Sequence, residues 1–260
     1  MTGTPARLIA MPSDPHITAH TIPGERQAVD RRAFITNKLL NALPRNNYRR
    51  MLTGLEPVNL AFGEVLYEPG DQISHVYFPG IALVSLMTLV DDRLTLEVGM
   101  VGCEGMVGLP VALGIGVSPF RALVQGAGTA MRMKSNWFVK ELRRSTALQR
   151  ALQRYTHTLM AQFAQTAACN RFHVVEERLA RWLLMTRDRV QSTDFRLTQE
   201  FLSHMLGVRR VGVTKAAGHL QQRRLIEYSR GNIRIVDQPG LEAASCSCYR
   251  ANRNSHIDPV

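Results

Sequence analysis

Long apolar runs are missing from this 260-residue sequence. The longest, Ile81 to Val90, is short and is broken by Ser85 and Thr88, so no bilayer-spanning helix is expected. No apolar stretch follows a basic start, which argues against a signal peptide and makes the cytoplasm the expected location, with no membrane partner. Cysteine is scarce. Cys103, Cys169, Cys246 and Cys248 are too few and too scattered for a secreted disulfide scaffold. No nucleophile elbow, P-loop or zinc-ligand pair on a helix is read in the sequence, so enzymatic chemistry, a metal and a cofactor are all unexpected. Internal repeats and low-complexity tracts are also absent. Acidic residues are outnumbered, 21 against 32 Lys and Arg, for a net charge of +11.

What remains is an ordinary globular mixture, 45% hydrophobic and 20% charged, able to form a core without staples. The basic excess is uneven: residues 171–236 hold 13 Lys and Arg against 6 Asp and Glu. A localised basic excess points to a polyanionic partner, nucleic acid before membrane.

The texture changes along the chain. Residues 1–34, with Pro5, Pro12, Pro15 and Pro23, read as a mobile tail. A short helix is predicted from Asn37 to Met51, interrupted at Leu43-Pro44. Within residues 35–145, short β-rich runs alternate with glycines, as in Val65-Leu66-Tyr67, His75-Val76-Tyr77-Phe78 and Leu94-Thr95-Leu96-Glu97-Val98. That pattern predicts an all-β roll or sandwich. The period then becomes helical over 146–174. Leu148, Leu152, Tyr155, Leu159, Phe163, Thr166 and Asn170 recur at steps of three and four. So long and narrow a stripe suggests the seam of a helix pair and hence a homodimer; the alternative is a helix laid on its own β domain.

Residues 175–240 carry the strongest pattern. After a helix from Val175 to about Arg189, Thr198 can cap a short helix whose apolar face is Phe201, Leu202 and Met205. Gly207 supplies a tight turn. A second helix starts near Arg209, with Val213, Ala217 and Leu220 inward and Arg209, Arg210, Gly212, Lys215 and His219 outward. Small residues on that face allow close approach to base edges, and an arginine there can grip guanine with two bonds. The runs 225–228 and 233–236 then form a hairpin around Gly231, a wing offering Arg230 and Arg234 to phosphates. Residues 241–260 read as a C-terminal tail.

A glycine-punctuated β domain, a seam helix and a winged helix, in that order, resemble the Crp/Fnr family over roughly residues 35–237. Phe62-Gly63-Glu64-Val65-Leu66-Tyr67, Pro69-Gly70-Asp71 and Tyr77-Phe78-Pro79-Gly80 resemble turns of a cyclic-nucleotide-binding β-roll. The resemblance implies an α+β architecture: a jelly-roll-like sensor, a dimerisation helix and a winged helix-turn-helix. It also implies a homodimer on a two-fold symmetric double-stranded operator, with RNA polymerase as a further candidate partner. Of the family's three base-reading positions, the first matches Arg210, the second is Val211 and the third is Lys215. Thr198 and Gln199 fall where the family contacts phosphate.

The effector site departs from the family pattern. Glu104-Gly105 precedes Arg121 by seventeen positions rather than about ten, and the adenine-contacting pair falls on Phe163 and Ala164. Glu104, Gly105, Arg121 and Phe163 are the effector-site candidates, and cyclic AMP is not the expected ligand. The N-terminal segment has no cysteines for the family's iron–sulfur cluster. Cys246-x-Cys248 near His256 is a weak metal or redox signal, and His75 or Cys103 a weaker haem signal. The rival reading is a ligand-sensing module that acts on a partner protein without DNA.

Overall fold

The computed structural model describes residues 36–91 and 94–255. The tail expected over 1–34 and His256 lie outside the described residues. The interrupted N-terminal helix is observed as α1 (Lys38–Asn41) and α2 (Arg45–Gly54). Asn37 caps α1 by accepting from the Leu40 amide at 3.1 Å. Its buried amide also donates to the Pro79 and Gly105 carbonyls at 2.9 and 2.8 Å, which anchors the helix to the β domain.

That domain comprises β1 (Glu56–Leu60), β2 (Val65–Tyr67), β3 (His75–Pro79), β4 (Leu83–Asp91), β5 (Leu94–Val101), a helical turn α3 (Leu109–Ala112), β6 (Arg121–Gly126) and β7 (Gly128–Lys134). Two antiparallel sheets form, in the orders β1-β7-β3 and β2-β6-β4-β5. Val76, Phe78, Val84, Val101, Val124 and Met131 fill the space between them. The apolar run Ile81–Val90 is mostly β4, and it is apolar because both of its faces are covered. Val84 and Leu86 face the roll core, while Leu83 and Met87 face the C-terminal domain. A strand buried on both sides reads as a continuous hydrophobic run rather than an alternation.

α4 (Ser135–Arg144) leads into α5 (Thr146–Phe172), a 27-residue helix. Ser145 caps α5 by accepting from the Leu148 amide at 3.1 Å. The expected seam is corrected here. Leu148, Leu152, Tyr155 and Leu159 are buried in the chain's own roll core, Phe163 packs beside them, and the Tyr155 hydroxyl donates to the Met106 carbonyl at 3.2 Å. Thr166 is buried too and meets the Arg181 guanidinium at 3.4 Å. A helix that covers a sheet needs the same 3.6-residue stripe as a helix that covers its twin, so periodicity could not separate the two.

The C-terminal domain contains α6 (Val175–Val190), β8 (Asp194–Arg196), α7 (Gln199–Leu206), α8 (Arg210–Gln222), β9 (Ile226–Ser229) and β10 (Asn232–Ile235). The strands form a small sheet, β8-β10-β9. Leu179, Leu183, Leu202, Val213, Leu220 and Ile233 make its core. The segment expected as a tail from residue 241 is instead folded into α9 (Gln238–Ala244) and α10 (Cys248–Ser255). Asp237 caps α9 through the Gly240 amide at 3.0 Å, and Leu241 is fully buried. Tyr249 is buried, with its hydroxyl donating to Asp188 of α6 at 2.8 Å.

The two domains touch directly. Trp182 of α6 donates to Glu97 of β5 at 2.9 Å, Arg189 pairs with Glu104 at 2.8 Å, and Phe62 meets Phe201 with ring centroids 5.4 Å apart.

Candidate nucleic-acid interface

Thr198 initiates the first helix of the motif: its hydroxyl accepts from the Phe201 amide at 3.1 Å. Gly207 ends it in a left-handed conformation, φ +60, and a Cβ there would lie 2.6 Å from Leu96. The left-handed backbone favours glycine at the turn, and the Leu96 methyl sits in the space a Cβ would take. The second helix, α8, buries Val213, Ala216, Ala217 and Leu220 and exposes Arg209, Arg210, Val211, Thr214 and Lys215. Arg209 at its N-cap makes no side-chain cap bond. The open amides, the helix dipole and two exposed arginines therefore add up at one end. Gly212 packs against little, since a Cβ would meet only Val208 at 4.0 Å. Its helix cost of about 1 kcal/mol is not offset by any internal close approach.

The other expected contacts divide. Gln199 is tied to the recognition helix, its side-chain oxygen accepting from Thr214 at 2.7 Å. Arg230 sits exposed at the hairpin tip, with φ +49 beside Gly231 at φ +79. Both central residues of this two-residue turn lie in the left-handed region that a primed hairpin turn requires. The Tyr228 hydroxyl bonds the Leu197 carbonyl at 3.0 Å and fixes the wing to the start of α7. Two residues have other partners. His219 faces Glu176 of α6 at 3.0 Å, a carboxylate shared with Arg223 at 3.1 Å. Arg234 meets Asp194 at 2.7 Å, a bond that holds the Asp194 carboxyl below the usual carboxylate range.

The effector candidates are not brought into one site. Glu104 pairs with Arg189, and Arg121 pairs with Glu68 at 3.4 Å. Gly105 lies under the Tyr155 ring, where a Cβ would come within 2.2 Å. Phe163 lines a cavity of about 300 Å³ with Leu86, Met106, Leu109, Leu159 and Phe120, whose ring meets it edge-on at 5.5 Å. Among the described residues no charged side chain lines that cavity.

One group was missed. Cys169 and His173 stand four residues apart at the end of α5 and meet Cys246 and Cys248. The sequence signal was present as a thiol and an imidazole at i, i+4, one helical turn apart. Sequence proximity alone pairs Cys246 and Cys248 with His256, which lies outside the described residues.

Residues 177–244 match the model of a Crp-like helix-turn-helix domain. No curated protein matches the sequence. Solved structures of similar shape include a regulator assigned to the Crp/Fnr family from Eubacterium rectale, with TM-score 0.62 and 16% identity over 79% of this chain and 96% of that one. They also include FixK2 from Bradyrhizobium japonicum, with TM-score 0.64 and 15% identity over 74% and 98%. A third is CLP from Xanthomonas campestris, described as responsive to c-di-GMP, with TM-score 0.61 and 15% identity over 74% and 99%. The chain has the Crp/Fnr fold. Its Crp-like domain spans α6 to α9, so the matched residues include Arg209, Arg210, Lys215 and the wing.

Proposed function

We propose that this Crp/Fnr-fold protein is a homodimeric transcription regulator that reads a two-fold symmetric operator with α8. The carrying observation is the exposed face of α8, where Arg209, Arg210 and Lys215 surround an uncapped helix start and Gly212 keeps the surface low. Arg210 is the guanine reader, Val211 meets a thymine methyl group, and Lys215, Arg230 and Thr198 hold phosphates. Gln199 orients Thr214, and Arg234 contributes less because Asp194 already neutralises it.

The dimer forms through the outer face of α5. With the expected stripe committed to the roll, and beside the further exposed Arg150, Arg154 and Phe172, one line of exposed positions runs through Gln153, His157, Met160, Ala164, Ala167 and Arg171. They recur at steps of four and three, and Met160 is 64% exposed. Met160 also lines the apolar cavity, next to Leu113 and Ile115 at 59% and 55% exposure. A second α5 would therefore close the cavity, coupling its occupant to dimer geometry. An uncharged, largely apolar effector suits this lining. Cyclic AMP does not, because a buried phosphate needs a cation and Arg121 is already paired with Glu68.

Selection of bound DNA from a random pool tests the reading, with and without metabolite extract. A palindromic consensus with guanine in each half-site is expected. Recovery of unrelated sequences at every salt concentration would refute sequence-specific regulation.

A further inference from the structure

Two buried arginines stand beside the cysteine group with donors unused. Arg181 is 6% exposed, and its Nε and Nη1 have no partner among the described residues; the same is true of Arg178 Nε. A buried guanidinium with idle donors calls for nearby negative charge. Arg178 donates to the Leu206 carbonyl and Arg181 to the Thr166 hydroxyl, which leaves these other donors without an acceptor among the described residues.

The group itself is compact. Cys169 Sγ lies 3.5 Å from Cys246 Sγ, and Cys248 Sγ lies 3.4 Å from His173 Nδ1. All four ligand atoms fall within 4.8 Å of one another. Zinc–sulfur bonds of about 2.3 Å place tetrahedral ligands about 3.7 Å apart, close to these separations. A cubane iron–sulfur cluster would hold its ligands on four separate iron atoms, farther apart than this group reaches. All three cysteines are buried, and the Gln165 amide donates to Cys248 Sγ at 2.9 Å, an outer contact of the sort that orients a thiolate ligand.

We propose that Cys169, His173, Cys246 and Cys248 bind one zinc ion in a closed structural site that ties the end of α5 to the start of α10. On binding, up to three thiols release protons to solvent, and the sulfur lone pairs and one imidazole lone pair form the four metal bonds. The dication with three thiolates carries one net negative charge, which the flanking arginines balance. His173 is the C-cap of α5, and α6 starts two residues later. The ion therefore fixes the hinge between the long helix and the DNA-binding domain, and holds α9 and α10 onto that joint.

The full-length protein, expressed with added zinc and freed of loose metal, is expected to hold one zinc per chain by elemental analysis. The cobalt(II)-exchanged protein is expected to show the intense visible bands of a tetrahedral site and a thiolate charge-transfer band. Cys246→Ser should abolish both. Gln165→Ala, which leaves every ligand in place and guards against a folding artefact, should weaken zinc about 10–100-fold in chelator competition. Chains without zinc and without tetrahedral cobalt bands would overturn the proposal. So would iron with inorganic sulfide at these residues, or a Cys169–Cys246 disulfide in the freshly isolated protein.

Discussion

Arg210 decides whether the exposed face of α8 reads sequence or only charge. A bidentate arginine–guanine contact discriminates by about 1–3 kcal/mol. Arg210→Ala should therefore weaken operator binding by that amount while random DNA loses far less, as titration of both duplexes would show. Val211→Glu offers the reciprocal test. It replaces a methyl contact with a cytosine acceptor, so the preferred base at one half-site position should change in a binding selection.

Glu97 is a residue whose protonation the fold controls. Burial pushes its carboxyl up from 4.5 to about 7, against the opposing pull of hydrogen bonds from Ser85 and Trp182 and the charges of Arg181 and Arg189. The Ser85 hydroxyl lies 2.6 Å from both Glu97 and the Gln125 carbonyl oxygen, and it can donate to only one of them. A protonated Glu97 donating to Ser85, with Ser85 donating onward to Gln125, satisfies both contacts. The folded state then binds a proton that the unfolded chain releases near 4.5. The contribution of Glu97 to stability is fully present below that pH and is lost as pH rises through about 7, on the order of 3 kcal/mol in all. Denaturant titrations of Glu97→Gln should show this slope flattened. An unchanged slope would mean that Glu97 is ionised in the fold.

At the scale of elements, α5 has two faces with different duties. Leu152→Lys with Leu159→Lys places charges in the roll core and should unfold or strongly destabilise the β-roll domain. Met160→Glu with Ala164→Glu should leave melting of the β-roll domain intact and give a monomer in sedimentation. A folded monomer from the first pair and a dimer from the second would reverse the assignment of faces. Gly105 tests the helix–roll contact from the other side. A Cβ there would come 2.2 Å from Tyr155, so Gly105→Ala should cost about 1–3 kcal/mol in thermal unfolding.

Across the whole molecule, charge and cavity belong to different ends. The positive excess lies in the C-terminal third, so operator affinity should fall steeply and log-linearly with salt. The cavity beside Phe163 has no charged side chain among the described residues, so cyclic AMP should show no micromolar binding in titration calorimetry of the purified protein. Each unpaired polar group in such a pocket costs about 1–3 kcal/mol.

Local chemistry determined the helix-turn-helix and its wing. Thr198, Gly207 and Gly231 act through their own backbone and immediate neighbours, and cap and turn preferences are written in the residues themselves. The two interrupted helices at 38–54 and the β texture of the roll were legible for the same reason. Only the tertiary structure decided which partner each side chain meets. Glu104 and Arg121 are charges that any carboxylate or guanidinium could pair with, and the fold gave them Arg189 and Glu68. The stripe on α5 was legible as a stripe but not as a contact, because burial against a sheet and burial against a twin helix impose one period. Cys169 and Cys246 are 77 positions apart and became neighbours only when the supposed tail folded back as α9 and α10. Contacts at that separation depend on how helices pack, and helix packing is set by the sum of many small burials rather than by any local motif.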